Sequence, residues 1–183
     1  MVQMPNPELG KPISRLNNYK LTPYESDFIK LSQKVLIRLG IVPRKRDYRK
    51  YLGNLEPYGG STWWALTRDS IEYIVNFVKN EKPIVSYFKN TSHPFEMFFQ
   101  TILANSPFMK NVKRNLTYTD WKEGGAHPAM INKDHIDLFA NNEIIDPRVS
   151  YGPGEFLFAR KFSDKIAHVV DELDRLINER DKI

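Results

Sequence analysis

The 183 residues are 41 % hydrophobic and 13 % aromatic, which suits one folded domain or a large part of one and excludes a disordered chain. The absence of cysteine excludes disulfide scaffolds and thiolate metal sites and suits a reducing compartment. A net charge of +5 and a pI near 9.3 favour an anionic partner, whether phosphate, nucleic acid or an acidic membrane face; with no apolar run near the roughly 20 residues of a membrane span and no signal-like start, a cytoplasmic setting is expected.

Residues 1–21 are rich in Pro and Asn (Pro5, Pro7, Pro12, Asn17, Asn18), lack periodicity and are expected to form an extended lead-in. Thr22, Pro23 and Glu25 make a helix start, and Phe28, Leu31, Val35, Leu36 and Leu39 follow helical spacing to a stop at Gly40. The segment 43–51 is the most basic in the chain (Arg44, Lys45, Arg46, Arg49, Lys50). Its interleaved tyrosines raise nucleic-acid binding, while a solvated or phosphate-facing loop is the commoner use of such a run.

Residues 58–66 are predicted as a glycine turn entering a short strand with Trp63 and Trp64 on opposite faces. Either both pack against a sheet, or one lines a pocket or covers a sugar ring. Thr67 is expected to cap a helix with Ile71, Ile74, Val75 and Val78 inward and Glu72, Asn76 and Lys79 outward, ended by Lys82-Pro83. Ile84 to Phe88 is then a short apolar segment.

In the stretch that follows, Ser92 is an N-cap candidate, Pro94 fits a first turn, and Met97, Phe98, Phe99, Ile102 and Leu103 are the buried body of a helix reaching about Asn105. Glu96 falls in the first turn. The helix dipole favours its charge there, which is reason enough for an acid and also aims a carboxylate beyond the helix end.

Residues 115–121 alternate as a strand ending in Asp120 and Trp121, followed by a loop through Glu123 to Pro128; Asn132 is expected to cap a short helix through Ile136 and Phe139. A turn at Tyr151-Gly152-Pro153-Gly154 leads into an apolar segment carrying Arg160 and Lys161. Ser163 or Asp164 then caps a last helix with Ile166, Val169, Val170, Leu173, Leu176 and Ile177 inward. Strands between helices imply an α/β sandwich. Glycine-rich phosphate loops, the dinucleotide fingerprint, the nucleophile elbow and HExxH are absent, and His93, His127, His135 and His168 lack metal-ligand spacing.

Four motifs in order carry a resemblance: Gly60-Ser61-Thr62-Trp63-Trp64-Ala65-Leu66-Thr67-Arg68; Tyr87-Phe88-Lys89-Asn90-Thr91 with Pro94, Glu96, Phe98, Phe99, Gln100 and Thr101; Asp120-Trp121; and Phe158-Ala159-Arg160-Lys161-Phe162. Together they resemble the core-2/I-branching N-acetylglucosaminyltransferases and peptide O-xylosyltransferases, glycosyltransferase family 14, and especially bacterial members. The resemblance runs from about Tyr58 to Phe162. It implies a GT-A-like mixed α/β fold and an inverting, metal-independent transfer of a GlcNAc- or xylose-type sugar from a UDP-sugar to a glycan hydroxyl. No cofactor, metal or nucleic acid is then expected. Glu96 would be the general base, Lys161 and Arg160 the contacts to the donor diphosphate, and Trp63, Trp64 and Trp121 the aromatics facing acceptor or sugar. The family's nucleotide-binding half precedes the matched region, and its Ser-Gly-x-Asp-Tyr-Pro type motif is not found here, so residues 22–183 are expected to be the C-terminal, acceptor and catalytic part. The competing expectation is a catalytically silent fragment that binds a glycan or a protein. Peripheral contact with the inner face of a membrane stays open.

Overall fold

The computed structural model describes residues 1–22, 26–121, 127–140 and 156–180. The expected helix start at Pro23 and Glu25, the loop from Glu123 and the turn at Tyr151 to Gly154 fall outside the described residues. The chain divides into two compact units, Met1–Thr62 with Leu66–Val112, and Trp63–Ala65 with Lys113–Ile183. Both mix helices with small sheets. Among the described residues no helix is long and apolar enough to cross a membrane.

In the first unit, β1 (Val2–Gln3) pairs antiparallel with β2 (Tyr58–Gly59), Val2 opposite Gly59 and Gln3 opposite Tyr58. The expected lead-in is therefore part of the fold. Met4 N–H donates to the Pro57 carbonyl at 2.9 Å, and the single turn of α1 (Ser14–Asn17) buries Leu16 completely. Met4 and Leu16 join Leu52, Ile84, Tyr87, Phe88 and Met97 in one core. A loop rich in Pro and Asn lacks periodicity whether it is solvated or buried, which is why pattern alone misplaced it.

Helix α2 (Asp27–Arg38) is capped by Ser26, whose Oγ accepts from Ile29 N at 3.2 Å, and it stops before Gly40 at φ 70°, as its glycine signalled. After the turn of α3 (Arg49–Leu52) comes α4 (Arg68–Asn80), capped by Thr67 as expected. Its inward face differs from the expectation. Ser70 and Ile74 are buried with Tyr73, Phe77 and Val78 beside them, whereas Ile71 and Val75 are exposed. Lys82-Pro83 does not end α4 so much as begin α5 (Lys82–Lys89), with proline in the first turn, where its missing N–H costs nothing. The expected short apolar segment is thus a helix burying Ile84, Tyr87 and Phe88. α6 (Phe98–Ala104) buries Gln100, Thr101, Ile102 and Leu103.

In the second unit, β3 (Thr117–Thr119) and β4 (Phe158–Arg160) pair in parallel, with Thr117, Tyr118 and Thr119 opposite Phe158, Ala159 and Arg160. β3 lies within the stretch 115–121 whose alternation predicts a strand, whereas β4 makes a strand of the apolar segment that carries Arg160. α7 (Lys133–Ala140) starts at Asn132, whose Oδ1 accepts from His135 N at 3.3 Å. Ser163 Oγ caps a 3-10 turn at Asp164–Ile166 that runs into α8 (Ala167–Arg180). Tyr118, Ile131, Ile136 and Val169 form the core of this unit with Leu173 and Leu176 against it, while Val170 and Ile177, expected inward, are exposed. Trp63 and Trp64 are not on a strand: residues 61–65 are irregular.

Candidate functional site

Glu96 sits at the end of a 3-10 turn, Pro94–Glu96, and not in the first turn of the helix that follows. The turn opens at His93, held in the left-handed region at φ 53° and ψ 54°, a conformation histidine tolerates better than β-branched residues do. Ser92, the expected cap, instead pairs its Oγ with His93 Nδ1 at 2.7 Å, and α6 begins at Phe98 with no side-chain cap. Gly60 N–H donates to the Glu96 carbonyl at 2.9 Å, and Gln100 Nε2 donates to the Ser61 carbonyl at 2.8 Å. A Cβ on Gly60 would meet Gln100 Cγ at 3.1 Å, so the second glycine of the pair lets the chain leaving β2 lie this close to α6.

The charge of Glu96 is met by two residues that the sequence gave no reason to single out. Lys11 Nζ and Arg15 Nη1 both bind Oε2, the Arg15 contact at 2.5 Å. Among the described residues, no hydrogen bond reaches Oε1. Burial pushes the carboxyl pKa up, but the hydrogen bonds and charges of Lys11 and Arg15 outweigh it and leave the group below the ordinary glutamate range. Glu96 is therefore an ionised carboxylate held through one of its two oxygens. Its side chain keeps 24 % of its exposure. A link between residues 81 and 85 positions apart in the chain leaves no periodic trace, which is why Lys11 and Arg15 were missed.

The second unit holds the other expected residues, Arg160, Lys161, Trp63, Trp64 and Trp121. Arg160, last in β4 and opposite Thr119, lays its guanidinium 4.5 Å from the Trp63 ring centroid. Trp121 Nε1 donates to Thr119 Oγ1 at 3.2 Å. Trp63, Trp64 and Trp121 remain 48, 44 and 38 % exposed. Lys161 is half-buried and fixed through its main chain, its carbonyl accepting from Ile131 N at 2.7 Å. Glu96 belongs to the other unit.

The same unit holds a buried polar cluster that the sequence reading passed over. His135 Nε2 lies 3.0 Å from Asp120 Oδ2, and its Nδ1 faces Asn132, so the end of β3 is tied to the start of α7. The signal was Asp120 at the close of a strand, but its partner is fifteen residues on, across a loop. Among the described residues no three His, Asp or Glu side chains gather as a metal would need.

The family model described as Core-2/I-Branching enzyme matches residues 20–144, more than half of the chain. The chain belongs to this family. The matched span takes in Trp63, Trp64, Glu96 and Trp121 and ends before Arg160 and Lys161. Among curated proteins the chain is similar to Xylosyltransferase 2 of Rattus norvegicus, 41 % identical over 68 residues, which are 34 % of this chain and 8 % of that protein. Xylosyltransferase oxt of Drosophila pseudoobscura pseudoobscura is 33 % identical over 78 residues, 40 % of this chain and 9 % of that protein. Xylosyltransferase 2 of Homo sapiens is 38 % identical over 68 residues, again 34 % and 8 %. The match thus covers less than a tenth of the length of these relatives. No solved structure matches significantly.

Proposed function

We propose that this family member is the C-terminal, catalytic part of a GT-A-like glycosyltransferase that moves a GlcNAc- or xylose-type sugar from a UDP-sugar to a glycan hydroxyl, with inversion and without a metal. In the transfer, the acceptor hydroxyl proton passes to Glu96 and the acceptor oxygen bonds to the anomeric carbon. The bond from that carbon to the diphosphate breaks, and its electron pair leaves with UDP. Arg160 and Lys161 meet the charge that grows on the departing diphosphate, Arg160 with a fork that binds two oxygens at once. Trp63, Trp64 and Trp121 offer ring faces to sugar.

The observation that carries this reading is the division of labour on the Glu96 carboxylate. Lys11 and Arg15 both hold Oε2, which fixes the group and keeps it ionised, and Oε1 is left for a hydroxyl. The relatives named xylosyltransferases support the sugar class, and the exposed tryptophans support a carbohydrate surface. Two cations on a base also lower its proton affinity, so the carboxylate must loosen one of them as the acceptor binds.

That same pairing favours a second reading, a catalytically silent module in which Glu96 anchors residues 11–15 and the tryptophans bind a glycan or a protein. Titration calorimetry with UDP and UDP-sugars, followed by a transfer assay on Glu96→Gln, separates the two. The transferase reading expects nucleotide binding that is weakened by Arg160→Ala or Lys161→Ala, insensitivity to EDTA, and loss of transfer in a Glu96→Gln protein that remains folded. No nucleotide binding at all assigns the chain to the second reading, and transfer by a folded Glu96→Gln protein removes Glu96 from the role of base.

A further inference from the structure

Helix α2 turns its apolar row outward. Its inner side is fixed by Gln33, whose Oε1 accepts from Leu21 N at 3.1 Å and whose Nε2 donates to the Tyr19 carbonyl at 2.8 Å. Ile29, Leu36 and Ile37 are half-buried on that side. Phe28, Leu31, Val35 and Leu39 recur at three- and four-residue steps and so line up along the opposite side, where they are 79, 63, 48 and 66 % exposed. Lys30, Lys34 and Arg38 run beside them at four-residue steps and are exposed as well. An apolar row of this length left in water marks a contact surface.

The charge around the row says what kind. Residues 26–51 hold eight Lys and Arg against two Asp, a net +6 where the whole chain carries +5, so the rest of the molecule is slightly acidic. Of these cations Arg46 is engaged inside the fold, its guanidinium donating to the Tyr87 and Asn90 carbonyls, while Arg44, Lys45, Arg49 and Lys50 are exposed. A symmetric dimer through α2 would set this basic segment against itself, and like charges brought together cost affinity. Single-stranded nucleic acid would use stacking rings, whereas three of the four residues in the row are aliphatic. Anionic lipid answers both features, since an interfacial helix buries an apolar row at the level of the acyl chains and sets its cations among the headgroups.

We propose that α2 docks this chain on an anionic lipid bilayer, with Phe28, Leu31, Val35 and Leu39 in the interface and Lys34 and Arg38 on the headgroups. The docking is independent of the transferase reading. Co-sedimentation of the full chain with phosphatidylcholine vesicles, with and without phosphatidylglycerol, tests it. Binding is expected only with phosphatidylglycerol and is expected to weaken as salt is added. Leu31→Asp should lower the partition about tenfold or more, and Lys34→Gln with Arg38→Gln about tenfold. All three positions are exposed, so the melting temperature serves as the check that each variant is folded. Failure to bind phosphatidylglycerol vesicles, equal binding to neutral ones, or full binding by folded Leu31→Asp would overturn the proposal. So would a dimer that Leu31→Asp dissociates in the absence of vesicle binding, which would give the row to a second copy.

Discussion

At the scale of single residues, the decisive arrangement is Glu96 with Lys11 and Arg15. The folded carboxyl titrates below its unfolded value, so its contribution to stability is complete above about pH 4.3 and is lost as the pH falls further. Glu96→Gln should cost about 1–3 kcal/mol at neutral pH, because it leaves two half-buried cations beside a neutral amide. The gap between variant and parent should close in acid below the carboxylate range, and urea unfolding across that range measures it. If Glu96 is also the base, transfer falls away on the same acid limb, because only the ionised form accepts a proton.

At the scale of elements, capping chemistry and periodicity located most helices, and long-range contacts decided which face each turned inward. Thr67, Asn132 and Ser163 cap where their side chains predict, and β3 lies within its alternating stretch, while β4 arises in a segment read only as apolar. The turn before α6 was not legible, because Ser92 has a local alternative in His93 Nδ1 and the chain takes a left-handed step instead of a capped start. That step makes a prediction. His93→Gly removes the steric cost of a side chain at positive φ and should leave stability unchanged or raise it by up to about 1 kcal/mol. His93→Val should lower it by about 1–2 kcal/mol, and thermal melting of the two variants reads the difference.

At the scale of the whole molecule, each unit closes its own core, and the first unit depends on its beginning. Leu16 is fully buried beside Tyr87, whose hydroxyl donates to the Leu16 carbonyl at 2.7 Å. Leu16→Ala should cost about 2–5 kcal/mol. Removing residues 1–16 takes away β1, Met4, Leu16, Lys11 and Arg15 together, and circular dichroism should then show loss of cooperative melting in the first unit. A detachable lead-in would leave that transition untouched.

Legible in the amino-acid order were the mixed α/β class, the helix starts at Thr67, Asn132 and Ser163, the strand that carries Tyr118, and the family. These depend on residues close together in the chain, whose caps, spacings and motifs can be read without a partner. The outward apolar row of α2, the Arg160 guanidinium over Trp63, and the hold of Lys11 and Arg15 on Glu96 come from the folded chain alone. Such pairings join residues tens of positions apart, and a contact across that distance follows from how the cores close, a property no local pattern records.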